Sequence, residues 1–240
     1  MKSLIINKKF IVSFNCSLVD IYENNTEYFK DKLLHFESDI SINDISFNPI
    51  LDNIILISFF NGSCKIYDIL EKELKEKIVL EESKDIILQS KFNILNTNII
   101  GSLCYFKIIV WDVRNIKYIK IIENKEKILK FRWNSFSENL LEITTEKEVK
   151  LIDIKTNKTI KVVKNEMAED DIIFVKKDII IIKLNSIEKL NDDNNIFNSL
   201  EFEEIKEYND NFIRDDILII FFNISTNINF IDINKMELIF

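Results

Sequence analysis

An all-β chain built from a repeated unit of about 40 residues is the architecture this sequence predicts, and three observations predict it. Runs that read as buried strands close on an acidic residue at regular intervals. The runs "LVDIY" (18–22), "KIYDI" (65–69), "IVWDV" (109–113), "KLIDI" (150–154) and "NFIDI" (229–233) place these marks at Asp20, Asp68, Asp112, Asp153 and Asp232. The spacings are 48, 44, 41 and 79 residues, three single periods and one double period, so a degenerate unit is expected around Asp192 and Asp193. A second, aromatic marker keeps step. Phe47, Phe92 and Trp133 stand 21, 20 and 20 residues ahead of their aspartates, and Phe212 stands 20 ahead of Asp232. Between the markers lies a third run, as in "NIILISFF", "NIIGSLCY", "LLEITTE", "DIIIIKLN" and "DILIIFFN", and a fourth often follows the aspartate, as in "KYIKIIE" and "TIKVVKN". Four short strands in about 40 residues is a β-propeller blade.

The units run over 2–36, 37–80, 81–122, 123–165, 166–206 and 207–240. They form one domain over residues 1–240, a propeller of about six four-stranded blades or an incomplete seven. Strands such as "IIII" do not alternate because a blade is covered on both faces by its neighbours. The first unit opens on "SLIIN", a brief first strand or a closing strand for the last blade. Its "KKFIVSFNCSLV" puts basic residues before an apolar run as a secretion signal does, but Asn15 interrupts it and Asp20 follows with no small-residue cleavage site, so it reads as strands. In the second unit Asn61-Gly62 is a hairpin signal. Residues 69–88 then space Leu70, Leu74 and Ile78 as an amphipathic helix would, yet the repeat register favours strand or loop there. The corresponding turn is Tyr105-Phe106 in the third unit and Glu146-Lys147 in the fourth. The residues ahead of the aspartates, Tyr67, Trp111 and Ile152, belong between blades.

Composition narrows the function. With 240 residues, 47% hydrophobic and 30% charged, the chain folds around a sizeable core. Only two glycines and one proline occur, so Asn takes over turn positions. A net charge of −8 and a pI near 5.0 argue against nucleic-acid or anionic-membrane binding through overall charge. No apolar run reaches the roughly 18 residues of a membrane span. Cys16, Cys64 and Cys104 lack metal or disulfide spacing and read as reduced thiols of a cytoplasmic protein. No phosphate loop, nucleophile elbow or zinc motif is present, and no catalytic residue, metal or cofactor is expected. The acid pairs Asp170-Asp171, Asp192-Asp193 and Asp215-Asp216 read as solvated loops, and the lone His35 as structural or solvent-facing.

Trp111-Asp112 with its degenerate copies, the Asn61-Gly62 turn and the period resemble the WD-repeat family. In order and spacing, residues 7–160 are similar to the opening half of a coronin propeller. The family's Gly-His pair and turn aspartate have no counterpart, so its His-Asp-Ser-Trp network is not expected, and cohesion is assigned to apolar packing. The resemblance implies a non-catalytic scaffold for other proteins. Alternatives are a coronin-like actin-binding protein associated with the cytoskeleton and an obligate subunit of a coat, pore or ribonucleoprotein complex. An aromatic pair in a hairpin turn is hard for its own blade to bury, which nominates Phe60, Asn61, Tyr105, Phe106 and Lys147 as the partner-binding residues. Inward folding of those aromatics is the structural alternative.

Overall fold

Short Ile-rich runs broken by Asn- and Asp-bearing turns form strands, and no helix occurs among the described residues. The computed structural model describes residues 3–24, 32–70, 73–81, 84–164, 171–175, 178–182, 186–190, 196–201, 208–214, 217–222, 228–232 and 237–239. The strands form four-stranded sheets in which each strand pairs with its neighbours in sequence. The first sheet holds β1 (Ser3–Ile6), β2 (Phe10–Phe14), β3 (Leu18–Glu23) and β4 (Lys32–Glu37), so "SLIIN" opens this sheet as its brief first strand. The second holds β5 (Ile42–Phe47), β6 (Ile54–Phe59), β7 (Cys64–Ile69) and β8 (Leu74–Leu80). Residues 74–80 are therefore strand, and the helical spacing there is overridden by pairing with β7. The third holds β9 (Gln89–Phe92), β10 (Ile99–Leu103), β11 (Lys107–Asp112) and β12 (Lys117–Glu123), and the fourth β13 (Lys130–Trp133), β14 (Leu140–Thr144), β15 (Glu148–Asp153) and β16 (Lys158–Lys164). The fifth holds β17 (Asp171–Val175), β18 (Asp178–Ile182), β19 (Ser186–Leu190) and β20 (Ile196–Glu201), and the sixth β21 (Tyr208–Arg214), β22 (Ile217–Phe222), β23 (Ile228–Asp232) and β24 (Glu237–Ile239).

Packing divides the chain into two compact units, Met1–Arg132 and Trp133–Phe240. In the first, Asn43 Nδ2 donates to the Ile87 carbonyl at 2.7 Å and Ser46 Oγ to the Ser90 carbonyl at 2.8 Å. Both bonds link residues 44 apart, so β5 and β9 run side by side in one direction and their sheets lie face to face. One core joins the first two sheets through Phe10, Val12, Ile55, Ile57 and Tyr67. The next joins the second and third through Leu56, Cys64, Ile66, Phe92, Ile109 and Trp111. Interior strands covered on both faces account for the unbroken apolar runs. In the second unit Val149, Leu151, Val163, Ile172, Phe174 and Ile179 form a further core, and Asn134 Nδ2 donates to the Phe174 carbonyl at 2.8 Å.

Two local devices recur. An asparagine follows the first strand, and its side-chain oxygen accepts backbone N–H groups two or three residues on, which fixes the turn. Asn7 caps Lys9 and Phe10, Asn48 caps Ile50 and Leu51, and Asn93 caps Leu95 and Asn96 at 2.7 to 3.0 Å. The second device is a β-bulge in the outer strand. Pairing skips Leu33, Lys77, Ile119, Ile160 and Phe197 in β4, β8, β12, β16 and β20.

Candidate interaction surface

The turns joining second to third strands carry Phe60, Asn61, Tyr105, Phe106 and Lys147, and their geometry follows from local hydrogen bonds. After β6 the Gly62 N–H donates to the Phe59 carbonyl at 3.2 Å and the Phe59 N–H to the Ser63 carbonyl at 2.9 Å. Gly62 has a φ of 86° and Asn61 does not lie in the left-handed region, so this is a three-residue turn with a glycine bulge, not the two-residue turn that Asn61-Gly62 suggested. Asn61 Oδ1 accepts the Ser63 hydroxyl at 2.8 Å and closes the turn, while Phe60 projects with 54% of its surface exposed. The Phe60 N–H reaches back to the Ser41 carbonyl at 2.8 Å.

After β10 the turn is Tyr105-Phe106, closed by the Cys104 N–H on the Lys107 carbonyl at 2.8 Å. The Tyr105 and Phe106 carbonyls accept the Ile128 and Asn124 N–H groups, each at 2.8 Å, which straps the turn to the segment leaving β12. Their rings do not fold inward. Tyr105 is 43% and Phe106 56% exposed, and the Lys127 ammonium sits 5.3 Å from the Tyr105 ring centroid. Since β5 and β9 run in one direction, the two turns lie at the same end of neighbouring sheets. Lys147 occupies the equivalent turn in the second unit, exposed, with its N–H on Thr145 Oγ1 at 3.3 Å.

The pairing register aligns Asp68, Asp112 and Asp153 in three consecutive sheets and sets Asp20 of the first sheet apart from them. Tyr67, Trp111 and Ile152 are buried, and each precedes an aspartate, Asp112 and Asp153 as the last residue of their strands and Asp68 as the last but one. In β3 the register step falls at Ile21–Tyr22, as it falls at Ile66–Tyr67 in β7. Glu23, not Asp20, therefore stands where Asp68 stands. Asp20 is mid-strand and bonds to His35 Nδ1 at 2.6 Å and Lys32 Nζ at 2.8 Å, so His35 has the carboxylate partner that its isolation in sequence concealed. Burial pushes the Asp20 carboxyl up, but the bonds from Lys32 and His35 outweigh it and hold it below the usual carboxylate range. Asp112 is held low by Arg114, whose Nε and guanidinium nitrogen bond to it at 2.9 and 2.7 Å. Asp232 lies in β23 opposite Ile217 and Glu237, while Asp170, Asp192, Asp193, Asp215 and Asp216 lie outside the described residues.

Blade cohesion is not purely apolar. Trp111 Nε1 donates to Ser102 Oγ at 3.0 Å, and Ser102 Oγ meets Ser90 Oγ at 2.8 Å and Cys64 Sγ at 3.5 Å. Ser102 Oγ accepts the indole N–H without any histidine, and Ser90 and Cys64 in turn bond to Ser102. Ser102 was legible as the small polar residue of "NIIGSLCY", but nothing in the sequence paired it with Ser90.

Among the described residues no group of three or more His, Cys, Asp or Glu side chains could hold a metal ion, and no helix is long and apolar enough to cross a membrane. No protein-family model matches the sequence, and none of the curated proteins matches it. Solved structures do. The chain is similar to the WD40 domain of Toxoplasma gondii coronin, with a TM-score of 0.75 and 14% identity over 98% of this chain and 68% of that one. It is similar also to the computationally designed Ika8 protein, with a TM-score of 0.68 and 16% identity over 98% of this chain and 71% of that one. The fold is that of a WD40 β-propeller.

Proposed function

We propose that the chain is a non-catalytic platform that docks partner proteins on the turns between second and third strands, with Phe60, Tyr105 and Phe106 as its anchors and Asn61 holding the first of those turns in shape. The observation that carries this reading is the exposure of three aromatic side chains on turns closed by hydrogen bonds, at one end of neighbouring sheets. Rigid aromatics offer large contact area at little conformational cost. Lys127 over Tyr105 adds a cation beside the patch. Lys147 extends the reading to the second unit as a separate contact. The fold supports the reading too, since a propeller built of hairpins displays many turns on a stable frame. The double substitution Tyr105→Ser with Phe106→Ser tests it. Recovery of specific partners by affinity purification and mass spectrometry should fall with the melting temperature retained. Unchanged recovery, or a large drop in melting temperature, refutes the reading. Actin binding, which the resemblance to coronin implies, is tested apart by co-sedimentation with filaments.

A further inference from the structure

The turn after β6 carries a reactive group as well as an aromatic anchor. Asn61-Gly62 is the single Asn-Gly step of the chain. An asparagine side-chain amide can be attacked at Cγ by the backbone nitrogen of the next residue, and glycine, without a Cβ, leaves that approach open. The turn prepares the amide for such attack. Asn61 Oδ1 accepts two donors from one residue, the Ser63 N–H at 3.1 Å and the Ser63 hydroxyl at 2.8 Å. Ser63 is 1% exposed, so both donors meet the oxygen with little competition from water. Two donors on a carbonyl oxygen draw electron density from its carbon and are placed to hold the oxyanion that attack creates. Asn61 itself is exposed, so its side-chain nitrogen can take a proton from water and leave. The Gly62 N–H is held to the Phe59 carbonyl at 3.2 Å, the longest hydrogen bond of the turn. Other asparagine caps lack the combination. Asn7, Asn15, Asn48 and Asn93 accept backbone N–H groups too, but Lys8, Cys16, Pro49 and Ile94 follow them.

We propose that Asn61 is a site of spontaneous deamidation in the folded chain, with water as co-reactant and Ser63 as the group that promotes it. The Gly62 nitrogen bonds to Asn61 Cγ and gives up its proton. The bond from Cγ to the side-chain nitrogen breaks, and ammonia departs, leaving a cyclic imide. Water then opens the ring without any oxidation or reduction. Opening at Cγ gives aspartate, and opening at the main-chain carbonyl gives isoaspartate. Either product sets a carboxylate where a neutral amide stood. Isoaspartate also routes the main chain through Cβ, which lengthens a three-residue turn by one carbon and breaks the bonds that close it. That Phe60 then loses its hold on a partner rests on the docking reading above, whereas the conversion itself does not.

The test is incubation of the full chain at body temperature and mildly alkaline pH, followed by peptide mapping with fragmentation that tells isoaspartate from aspartate. Asn61 should convert to a mixture of the two while Asn15, Asn48 and Asn93 stay intact. Incubation in heavy-oxygen water should leave one labelled oxygen in each product. Ser63→Ala should slow the conversion roughly tenfold by removing the hydroxyl donor, and Ser63→Thr, which keeps it, should restore the rate. Ser63→Cys, a weaker donor of similar size, repeats the measurement should the alanine disturb folding. An intact Asn61 overturns the proposal. So does conversion of the other capped asparagines at the same rate, or a rate in folded Ser63→Ala or Ser63→Cys equal to or above that of the parent chain. Because no partner enters these measurements, the modification and the docking surface stand or fall separately.

Discussion

At Asp44 a carboxylate sits between two sheets on terms that water would not require. It faces Ser58 across the β5–β6 pair, and Asp44 Oδ2 and Ser58 Oγ are both buried without a hydrogen-bond partner. Burial pushes this carboxyl up to about 7 against the opposing pull of Lys91 and of backbone hydrogen bonds at Ser90 and Ile45. The folded chain then keeps a proton that the unfolded chain releases in the ordinary carboxylate range near pH 4. Stability from this group is thus full below about pH 4 and falls as the pH rises to about 7. Asp44→Asn should flatten that slope in urea titrations run across the interval, and an unchanged slope would show that Asp44 ionises normally. Trp111 makes the complementary case. Trp111→Ala should cost about 3 to 5 kcal/mol as a large-to-small core change, and Ser102→Ala about 1 to 3 kcal/mol by leaving the indole N–H without its acceptor. Losses within a degree or two of melting temperature would contradict both. The indole's burial was readable from the strand around it. Its partner was not, because a serine in an apolar run carries no sign of what it faces across the gap between sheets.

The four-strand unit was legible because two side-chain constraints kept one spacing, an aromatic on the first strand and an aspartate at the end of the third. Where a carboxylate served another purpose the reading slipped by three residues. Asp20 stands third in "LVDIY" and Asp68 fourth in "KIYDI", and only pairing shows that Tyr22-Glu23 is the counterpart of Tyr67-Asp68. The asparagine caps were in view in "FNP" and "FNI", yet the exposure of Ile50, Leu51, Ile94 and Leu95 beside them was not, since isoleucine and leucine fill buried and exposed positions of this chain alike. Third-to-fourth strand turns hold a further irregularity. Ile116 has a φ of 53°, and Asn157 at the same place in the next sheet has 58°. Asparagine tolerates the left-handed region and a β-branched residue resists it. Ile116→Asn should therefore raise stability by about 1 kcal/mol, read as a higher melting temperature. A lower one would mean that the isoleucine side chain contributes packing worth more than the strain.

For the whole chain, the architecture predicts a far-ultraviolet circular dichroism spectrum of β type, and a helical double minimum would be incompatible with it. Solubility should pass through a minimum near pH 5.0, where net charge vanishes and the repulsion that separates molecules is lost. The bulges in the outer strands bear on what happens when molecules do meet. Isoleucine-rich strands with open edges are templates on which further chains can stack into fibrils. A skipped residue in the middle of the edge throws an incoming strand out of register, and the guard is made by the backbone, since the charged Lys77 stands at the same bulge as the apolar Leu33, Ile119, Ile160 and Phe197. Point substitutions at these positions should leave the protein free of fibrils, whereas deleting Ile119 straightens one edge and should bring thioflavin-positive deposits under conditions in which the parent chain stays clear. Resistance to amyloid growth would then reside in chain length between turns, a quantity that exchanging one apolar side chain for another does not touch.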